Sequence, residues 1–334
     1  MNPPIRIGLV GTGAIAQIAH LPALTKLKGA QLVALCDSDG VKARQIAERF
    51  GIPDVFTDIE DLIDGAKLDA VIIMTPNHLH EPHVLSALAA KLHVLCERPL
   101  ALTARGVDRI LAAASRVEKK VAVGNNHRFR TDVQAASAFL RGGELGSLAA
   151  IRAGHFQVMR QPEGWRFRRA ESGGGVLMEH GVPLLDLALW MADFPTPLRV
   201  SAHMHRSRGP KAVEDSMFAV LECEKGLTIA VDVCWEYVGT EERFWFDVLA
   251  SRGSASLAPL RVVKELNGKA VDVTPHGAAA RETAFLQSYR AELAHFVAVL
   301  QEEQPYEAPT DQATVLKVIE AIYRAAEAGA EVRL

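Results

Sequence analysis

The stretch that most constrains this chain is Ile5 to Ala19, IRIGLVGTGAIAQIA. Ile5, Ile7, Leu9 and Val10 make an apolar run of the length of a buried parallel strand. Gly11-Thr12-Gly13-Ala14-Ile15-Ala16 follows at once and leads into a helical pattern. Strand, G-x-G-x-x-A turn and helix, in that order, are the parts of a dinucleotide-binding turn. In that role Gly11 permits the tight turn, Gly13 lets a pyrophosphate approach the backbone, and Ala16 lets the helix pack closely on the strand. Gly11, Thr12, Gly13, Ala14 and Ile15 are the expected cradle, because N–H groups at a helix start face anions. Glycine-rich turns also join strands to helices for structural reasons alone; the correct order of the three parts favours the functional reading.

The next strand pattern, Gln31 to Cys36, ends in Asp37. That acid lies near the distance at which this turn places the carboxylate for the adenosine ribose hydroxyls. The other reading is an ordinary turn or cap residue, since Asp37-Ser38-Asp39-Gly40 is rich in turn formers. A carboxylate there would repel a 2′-phosphate, which favours NAD; Lys42 and Arg44 nearby leave NADP open. A helix from Val41 to Phe50, a short strand at Val55 to Thr57, and a buried strand at Asp69 to Met74 follow. Then come Thr75-Pro76-Asn77-His78-Leu79-His80, a helix over 82–92, a strand at His93 to Cys96, and Glu97-Arg98-Pro99-Leu100. Thr103 caps the next helix, and Val121 to Gly124 is a sixth strand. The alternation predicts an α/β doubly wound parallel sheet. Asp37, Thr75 to His80, Glu97 with Arg98, and Asn125 to Arg128 all fall at strand carboxyl ends, where ligands of such sheets bind.

From Thr131 the pattern changes to α+β. A helix to Arg141, a strand at Leu148 to Ala153 and an arginine-rich loop lead to Gly173-Gly174-Gly175. The loop carries Arg160, Trp165, Arg166, Phe167, Arg168 and Arg169. A helix over Pro183 to Met191 precedes strands at 199–204, 216–223, 227–235, 243–250 and 255–257, whose short connections predict an antiparallel sheet. Helices over 282–300 and 312–328 close the chain. Two domains are expected, 1–124 and 125–334, as suits 334 residues. A formal net charge of −3 gives no pull toward nucleic acid or anionic membrane. No apolar run reaches the roughly 20 residues that span a bilayer. Met1-Asn2-Pro3-Pro4 leads into the first strand without a basic n-region, and Cys36, Cys96, Cys223 and Cys234 lack metal-ligand spacing. Free thiols in a reducing cytoplasm are the expectation, and no metal site is expected.

GTGAIA, TPNHLH, CERPL, Asn126 to Phe129, Trp165-Arg166, GGGVLMEHGVPLLD and Phe296 to Leu334 together resemble the Gfo/Idh/MocA oxidoreductase family over essentially the whole chain. The resemblance implies a Rossmann domain joined to a domain with a large open, mainly antiparallel sheet flanked by helices. It implies a homodimer or homotetramer formed through that sheet, and hydride transfer between a nicotinamide cofactor and a sugar, polyol or related small molecule. It implies that Thr75, Pro76, Asn77 and His80 lie along the cofactor, Glu97 with Arg98 near the nicotinamide ribose, and Trp165-Arg166 near the nicotinamide end.

At the chemical positions the chain departs from that family. The usual Glu-Lys-Pro is Glu97-Arg98-Pro99, and a guanidinium with a pKa above about 12 moves no proton at neutral pH. The usual Asp-x-Gly-x-His-x-x-Asp is Glu179-His180-Gly181-Val182-Pro183-Leu184-Leu185-Asp186, with proline where the histidine belongs. Arg98, Glu179 and His180 are the expected catalytic residues, Arg98 orienting substrate oxygen and the other two moving the proton. On a regular helix, His180 would diverge from Glu179 by roughly 100°; Pro183 suits a first helical turn, which would make 179–182 irregular loop. Arg128, His155, Arg166 and Tyr237 are expected at the substrate. The arginines could converge on an anion, which would make the substrate a carboxylate, or could be scattered surface charge. Three functions follow: a dehydrogenase, an enzyme using tightly held NAD for transient oxidation in glycosidic cleavage or elimination, and a catalytically silent dinucleotide-binding regulator.

Overall fold

The apolar runs pair edge to edge in the computed structural model, which describes residues 3–159, 164–275 and 283–334. β1 (Ile5–Val10), β2 (Ala30–Cys36), β3 (Asp54–Phe56), β4 (Ala70–Ile73), β5 (His93–Glu97) and β6 (Val121–Gly124) form one sheet in the order β3-β2-β1-β4-β5-β6. All its pairings are parallel. α1 (Leu21–Leu24), α2 (Gly40–Phe50), α3 (Ile59–Gly65), α4 (Asn77–Ala89) and α5 (Ala104–Val117) connect the strands. Leu9, Leu35, Ile72 and Leu95 are buried, the mark of parallel strands covered on both faces. Local chemistry sets the helix ends. Asp39 accepts from the Lys42 N–H at the start of α2, Gly51 ends it with φ 68°, and Thr103 accepts from the Gly106 N–H at the start of α5. The strand order reverses between β1 and β4, which places a ligand crevice beyond their carboxyl ends.

After α6 (Thr131–Arg141), a second sheet runs β14-β13-β12-β11-β7-β10-β9-β8-β15. Its strands are β7 (Leu148–Val158), β8 (Pro197–His205), β9 (Ser216–Cys223), β10 (Thr228–Tyr237), β11 (Arg243–Ala250), β12 (Gly253–Leu257), β13 (Arg261–Leu266), β14 (Lys269–Asp272) and β15 (Val332–Arg333). Every pairing is antiparallel except β7 with β10. Met217, Ala219, Leu221, Ile229, Val231 and Val233 alternate onto one buried face. After a four-residue α7 (Arg169–Ser172), the apolar α8 (Val182–Met191) packs on β7 and β10. The other face leaves Phe218 and Leu249 exposed.

Two details depart from the expectation. β7 continues past Ala153 to Val158, carrying His155 inside a strand. Residues 179–182 are not irregular loop: Leu177–Gly181 is a π-helical turn that runs straight into α8, with Pro183 in the first turn of α8, where its missing N–H costs nothing.

Packing divides the chain into Met1–Phe129 with Glu282–Ala313, and Arg130–Arg281 with Thr314–Leu334. The first crossing lies close to the expected 124–125 boundary, but the return of 282–313 to the first unit was not anticipated. Its cause is on α9 (Ala284–Leu300), whose Leu293, Phe296 and Val297 are buried in one cluster with Ile7, Leu9, Leu35 and Leu95. α10 (Asp311–Ala328) follows. No described helix is long and apolar enough to cross a membrane.

Candidate active site

The glycine turn of the first unit is shaped by what surrounds each glycine. Gly11 has φ 95°, and a Cβ there would stand 2.6 Å from the Met74 carbonyl oxygen at the end of β4. Around Gly13 a Cβ would meet nothing within 4 Å, so the turn opens where a pyrophosphate needs to reach backbone. Thr12 donates to Asp37 Oδ2 twice, from its N–H at 2.8 Å and its hydroxyl at 2.7 Å. Lys42 Nζ lies 2.9 Å from the same oxygen, and the Asp39 N–H donates to Oδ1 at 3.0 Å. Burial would raise the Asp37 carboxyl, but the Thr12 N–H, Lys42 and the Thr12 hydroxyl hold it below its ordinary value. Asp37 therefore pins the turn, and Oδ1 keeps acceptor capacity for a hydroxyl. These features fit a dinucleotide.

Thr75, Pro76 and Asn77 form the junction from β4 into α4, with Pro76 at the N-cap. His80 plays a different part from the one expected. It is 1% exposed, its Nδ1 lies 2.7 Å from the Pro99 carbonyl oxygen, and its Nε2 lies 2.8 Å from that of Thr75. It ties two strand-end loops together from behind, with both ring nitrogens occupied by backbone. Burial pushes its imidazole toward the neutral form. Glu97 closes β5, buried, with Oε1 2.8 Å from His20 Nε2. Burial raises its carboxyl, yet the His20 hydrogen bond and the charge of Arg98, with the His80 ring close by, bring it below the usual carboxylate range.

In the second unit the π-helical turn sends adjacent side chains to different partners. Glu179 Oε1 lies 3.2 Å from Arg166 Nε, whereas His180 Nε2 lies 3.1 Å from Gln157 Oε1. The His180 ring packs on that of His155 with centroids 4.1 Å apart. His155 lies 3.6 Å from Glu242 Oε2, and burial pushes it toward the neutral form that accepts a proton. Arg166 also lies over the Trp165 ring, 4.5 Å from its centroid. The turn that carries both, Gly164–Phe167, is held by Phe167, which packs on Trp235 and under Arg208. Tyr237 ends β10 against Phe156.

Four of the described arginines expected at the site or in its loop have carboxylate partners. Arg166 has Glu179, Arg168 has Glu171 and Arg169 has Glu327. Arg128, expected at the substrate, pairs with Asp311 at 2.7 Å. Each charge is met by a local carboxylate, which weakens the case for an anion-collecting loop; Arg160 lies outside the described residues.

Sequence reasoning passed over a latch behind Glu179 and His180. Glu214 is 1% exposed, and its Oε1 accepts from the Gly175 N–H at 2.9 Å, the Leu177 N–H at 3.1 Å and the Tyr323 hydroxyl at 2.8 Å. A Cβ on Gly174 would overlap the Tyr323 hydroxyl, and one on Gly175 would stand 2.0 Å from the Glu214 carbonyl oxygen. The triple glycine is thus a docking surface for an acid, and its run of three was the legible sign. Burial still pushes the Glu214 carboxyl up. Among the described residues no cluster of three or more His, Cys, Asp or Glu could hold a metal ion.

Comparison with known proteins agrees with this geometry. Residues 5–125 match the oxidoreductase family with an NAD-binding Rossmann fold, and residues 133–256 match the GFO/IDH/MocA C-terminal domain. Inositol 2-dehydrogenase 1 of Saccharopolyspora erythraea is 30% identical, covering 99% of this chain and 96% of that protein. D-glucoside 3-dehydrogenase of Escherichia coli K12 is 27% identical, covering 100% and 98%. The aldose-aldose oxidoreductase of Caulobacter crescentus, solved with glycerol, superposes with a TM-score of 0.84 at 26% identity, covering 99% of this chain and 100% of that one. The glycine turn, the parallel sheet that carries it and the open mixed sheet together place this chain in the Gfo/Idh/MocA family of NAD-binding oxidoreductases.

Proposed function

We propose that this chain is an NAD-dependent dehydrogenase or reductase acting on a sugar, polyol or sugar acid, with a proton-transfer site unlike the usual one of its family. The relatives named above act on inositol, glucosides and aldoses, which supports that substrate class. The observation that carries the proposal is the second unit's combination of Glu179, held by Arg166, with the packed pair His155 and His180. These groups can replace the proton chemistry that Pro183 cannot perform.

The nicotinamide, when bound, accepts or returns a hydride. Gly11 to Ile15 would hold the pyrophosphate, Asp37 the adenosine ribose, and Thr75 to Asn77 with Glu97 the nicotinamide half. Asp37 disfavours a 2′-phosphate by charge, and Lys42 is already engaged on it. Arg98 would donate hydrogen bonds to a substrate oxygen while keeping its own proton. Glu179 would take or give the hydroxyl proton, with neutral His155, and His180 packed on it, to pass that proton on. Tyr237, Trp165 and Arg166 would shape the substrate side. The uncovered sheet face, where Phe218 and Leu249 are exposed, suits a second copy of the chain. Free Cys36, Cys96, Cys223 and Cys234 suit a reducing compartment.

A panel of sugars, polyols and sugar acids, assayed with NAD and NADP at the reduced-nicotinamide band and by product chromatography, tests the reading. Turnover with cofactor reduction is expected. Product without net reduction would mark transient oxidation, and NADH binding without any product would mark a binding protein. In the dehydrogenase, Glu179→Gln lowers kcat about 100-fold or more, the scale of lost acid–base catalysis, with NADH affinity unchanged. Unaltered turnover in that variant removes Glu179 from the mechanism.

A further inference from the structure

His20 sits in the helical segment after the glycine turn, two strands away from Glu97 in the sheet order, yet its side chain meets the Glu97 carboxylate. We propose that His20 is a positioning residue of the dinucleotide site, whose Nε2–H holds Glu97 as a fixed carboxylate at the carboxyl end of β5. The proposal rests on the cofactor reading above and extends it to a side chain that cannot itself touch the ligand, since His20 is 0% exposed.

The geometry assigns the protonation state. His20 Nδ1 is buried with no hydrogen-bond partner among the described residues, while Nε2 lies 2.8 Å from Glu97 Oε1. An imidazolium would bury an unpaired N–H as well as a charge, and the Nδ1–H tautomer would set a lone pair against a carboxylate. The neutral Nε2–H tautomer leaves only one bare acceptor. His20 therefore donates to Glu97 without neutralising it, and the negative charge remains on the carboxylate.

The surroundings fix the rest. Glu97 pairs in register with Gly124, where a Cβ would stand 3.0 Å from both Cδ and Oε2 of the carboxylate. Glycine at the end of β6 thus makes room for the second oxygen. Tyr289 of α9 packs edge-on against His20, with centroids 5.1 Å apart. The charged and titratable groups facing the pair are Arg98 after β5, His80 of α4, and Tyr289 and Glu292 of α9. Arg98 and His80 favour the anion. With Oε1 taken by His20 and Oε2 over Gly124, the carboxylate presents one orientation to a ribose hydroxyl, and the segment after the glycine turn is tied to the nicotinamide half of the site.

The test is NADH binding, followed by fluorescence across pH, for the wild type, His20→Phe, His20→Gln, Glu97→Gln and the double variant His20→Phe with Glu97→Gln. His20→Phe is expected to weaken NADH about tenfold at pH 7, the scale of a hydrogen bond to a charged group. It also moves the acid limb of the affinity profile to higher pH, because burial of Glu97 then loses its main opposing contact. His20→Gln, whose amide N–H reaches the same place, restores affinity to within about threefold. In the Glu97→Gln background His20→Phe should add little. Wild-type affinity and an unmoved acid limb in His20→Phe, or an equal loss with Glu97 absent, would overturn the proposal. If the wild type binds neither NADH nor NADPH, the cofactor reading fails instead. Independently of ligand and of any variant's folding, 15N-histidine NMR of the wild type should show His20 with a protonated Nε2 and a bare Nδ1; an imidazolium or the Nδ1–H tautomer sinks the assignment.

Discussion

Glu97 in the first unit and Glu214 in the second are both buried at their candidate sites, and the two are held in opposite ways. Glu97 has a neutral imidazole donor, the Arg98 cation and the His80 ring nearby, and its carboxyl is drawn below the ordinary value. Glu214 has two backbone N–H donors and a phenol, no cation shapes its titration, and burial keeps its carboxyl above the ordinary value. The difference separates two uses of a buried acid. Beside the Arg98 cation and a donor imidazole, Glu97 is kept ionised at the carboxyl end of β5; met only by dipoles, Glu214 fastens a loop to a helix start.

Breaking the fastener should cost most. Gly175→Ala puts a methyl 2.0 Å from the Glu214 carbonyl oxygen, so the latch cannot close without moving backbone. Overpacking of this kind costs about 3 kcal/mol, and Tm is expected to fall by roughly 6–12 °C on a thermal melt. The same change in the other unit has the opposite signature. Gly13→Ala meets nothing within 4 Å, so Tm should stay within about 2 °C while NADH affinity drops at least about tenfold, because the methyl occupies space a pyrophosphate needs. Equal effects of the two substitutions on stability would erase the distinction between fastener and cradle.

What separates the legible from the illegible follows the same line. The parallel sheet was readable because its strands are continuous apolar runs and its helices carry local caps such as Asp39, Thr103 and Gly51. Asp37 accepts from the Asp39 N–H, a local turn contact, whereas its hold on Thr12, 25 residues away, was not readable. Contacts distant in sequence were not readable: α9 joins the core of the first unit through Phe296 and its neighbours, and Tyr323 finds Glu214. The β13–β14 hairpin was missed although Asn267-Gly268, both at positive φ, is a turn signature, because β14 is exposed throughout and lacks alternation. β7 was cut short at Gly154, which reads as a breaker but serves to let Trp245 lie across the strand. Pro183 sits in a first helical turn as read, but the residues before it, readable as loop, form a π-helical turn. Arg168, Arg169 and Arg128 looked available because a sequence does not reveal that Glu171, Glu327 and Asp311 answer them.

A smaller effect sharpens the contrast between the two acids through pH. Glu97 has a depressed folded pKa, so its stabilising contribution is present above the unfolded carboxylate value and is lost as pH falls through the folded one. Glu214 has a raised folded pKa, so its contribution is full below the unfolded value and is lost as pH rises through the folded one. Replacing each by glutamine removes these slopes. Between pH 3 and pH 8, the Tm difference between Glu97→Gln and wild type should move against the variant, and that for Glu214→Gln should move in the variant's favour, each by a few degrees. Slopes of the same sign would show that the two acids share one electrostatic role.

The smallest expected effect bears on the arginine loop. Arg168 and Arg169 are exposed and paired with Glu171 and Glu327, and exposed pairs contribute little once solvent screening is counted. Arg168→Ala and Arg169→Ala should therefore leave Tm and NADH affinity within error of wild type, and should leave the ratio of kcat/KM for a sugar acid over its neutral analogue unchanged. Arg98→Ala is the contrasting variant, because Arg98 directly follows the ionised Glu97 at the ligand edge of the parallel sheet. If the substrate carries a carboxylate that Arg98 orients, that ratio falls in Arg98→Ala alone. If it falls in the loop variants instead, the loop rather than the strand end reads the substrate's charge, and recognition passes from the first unit to the second.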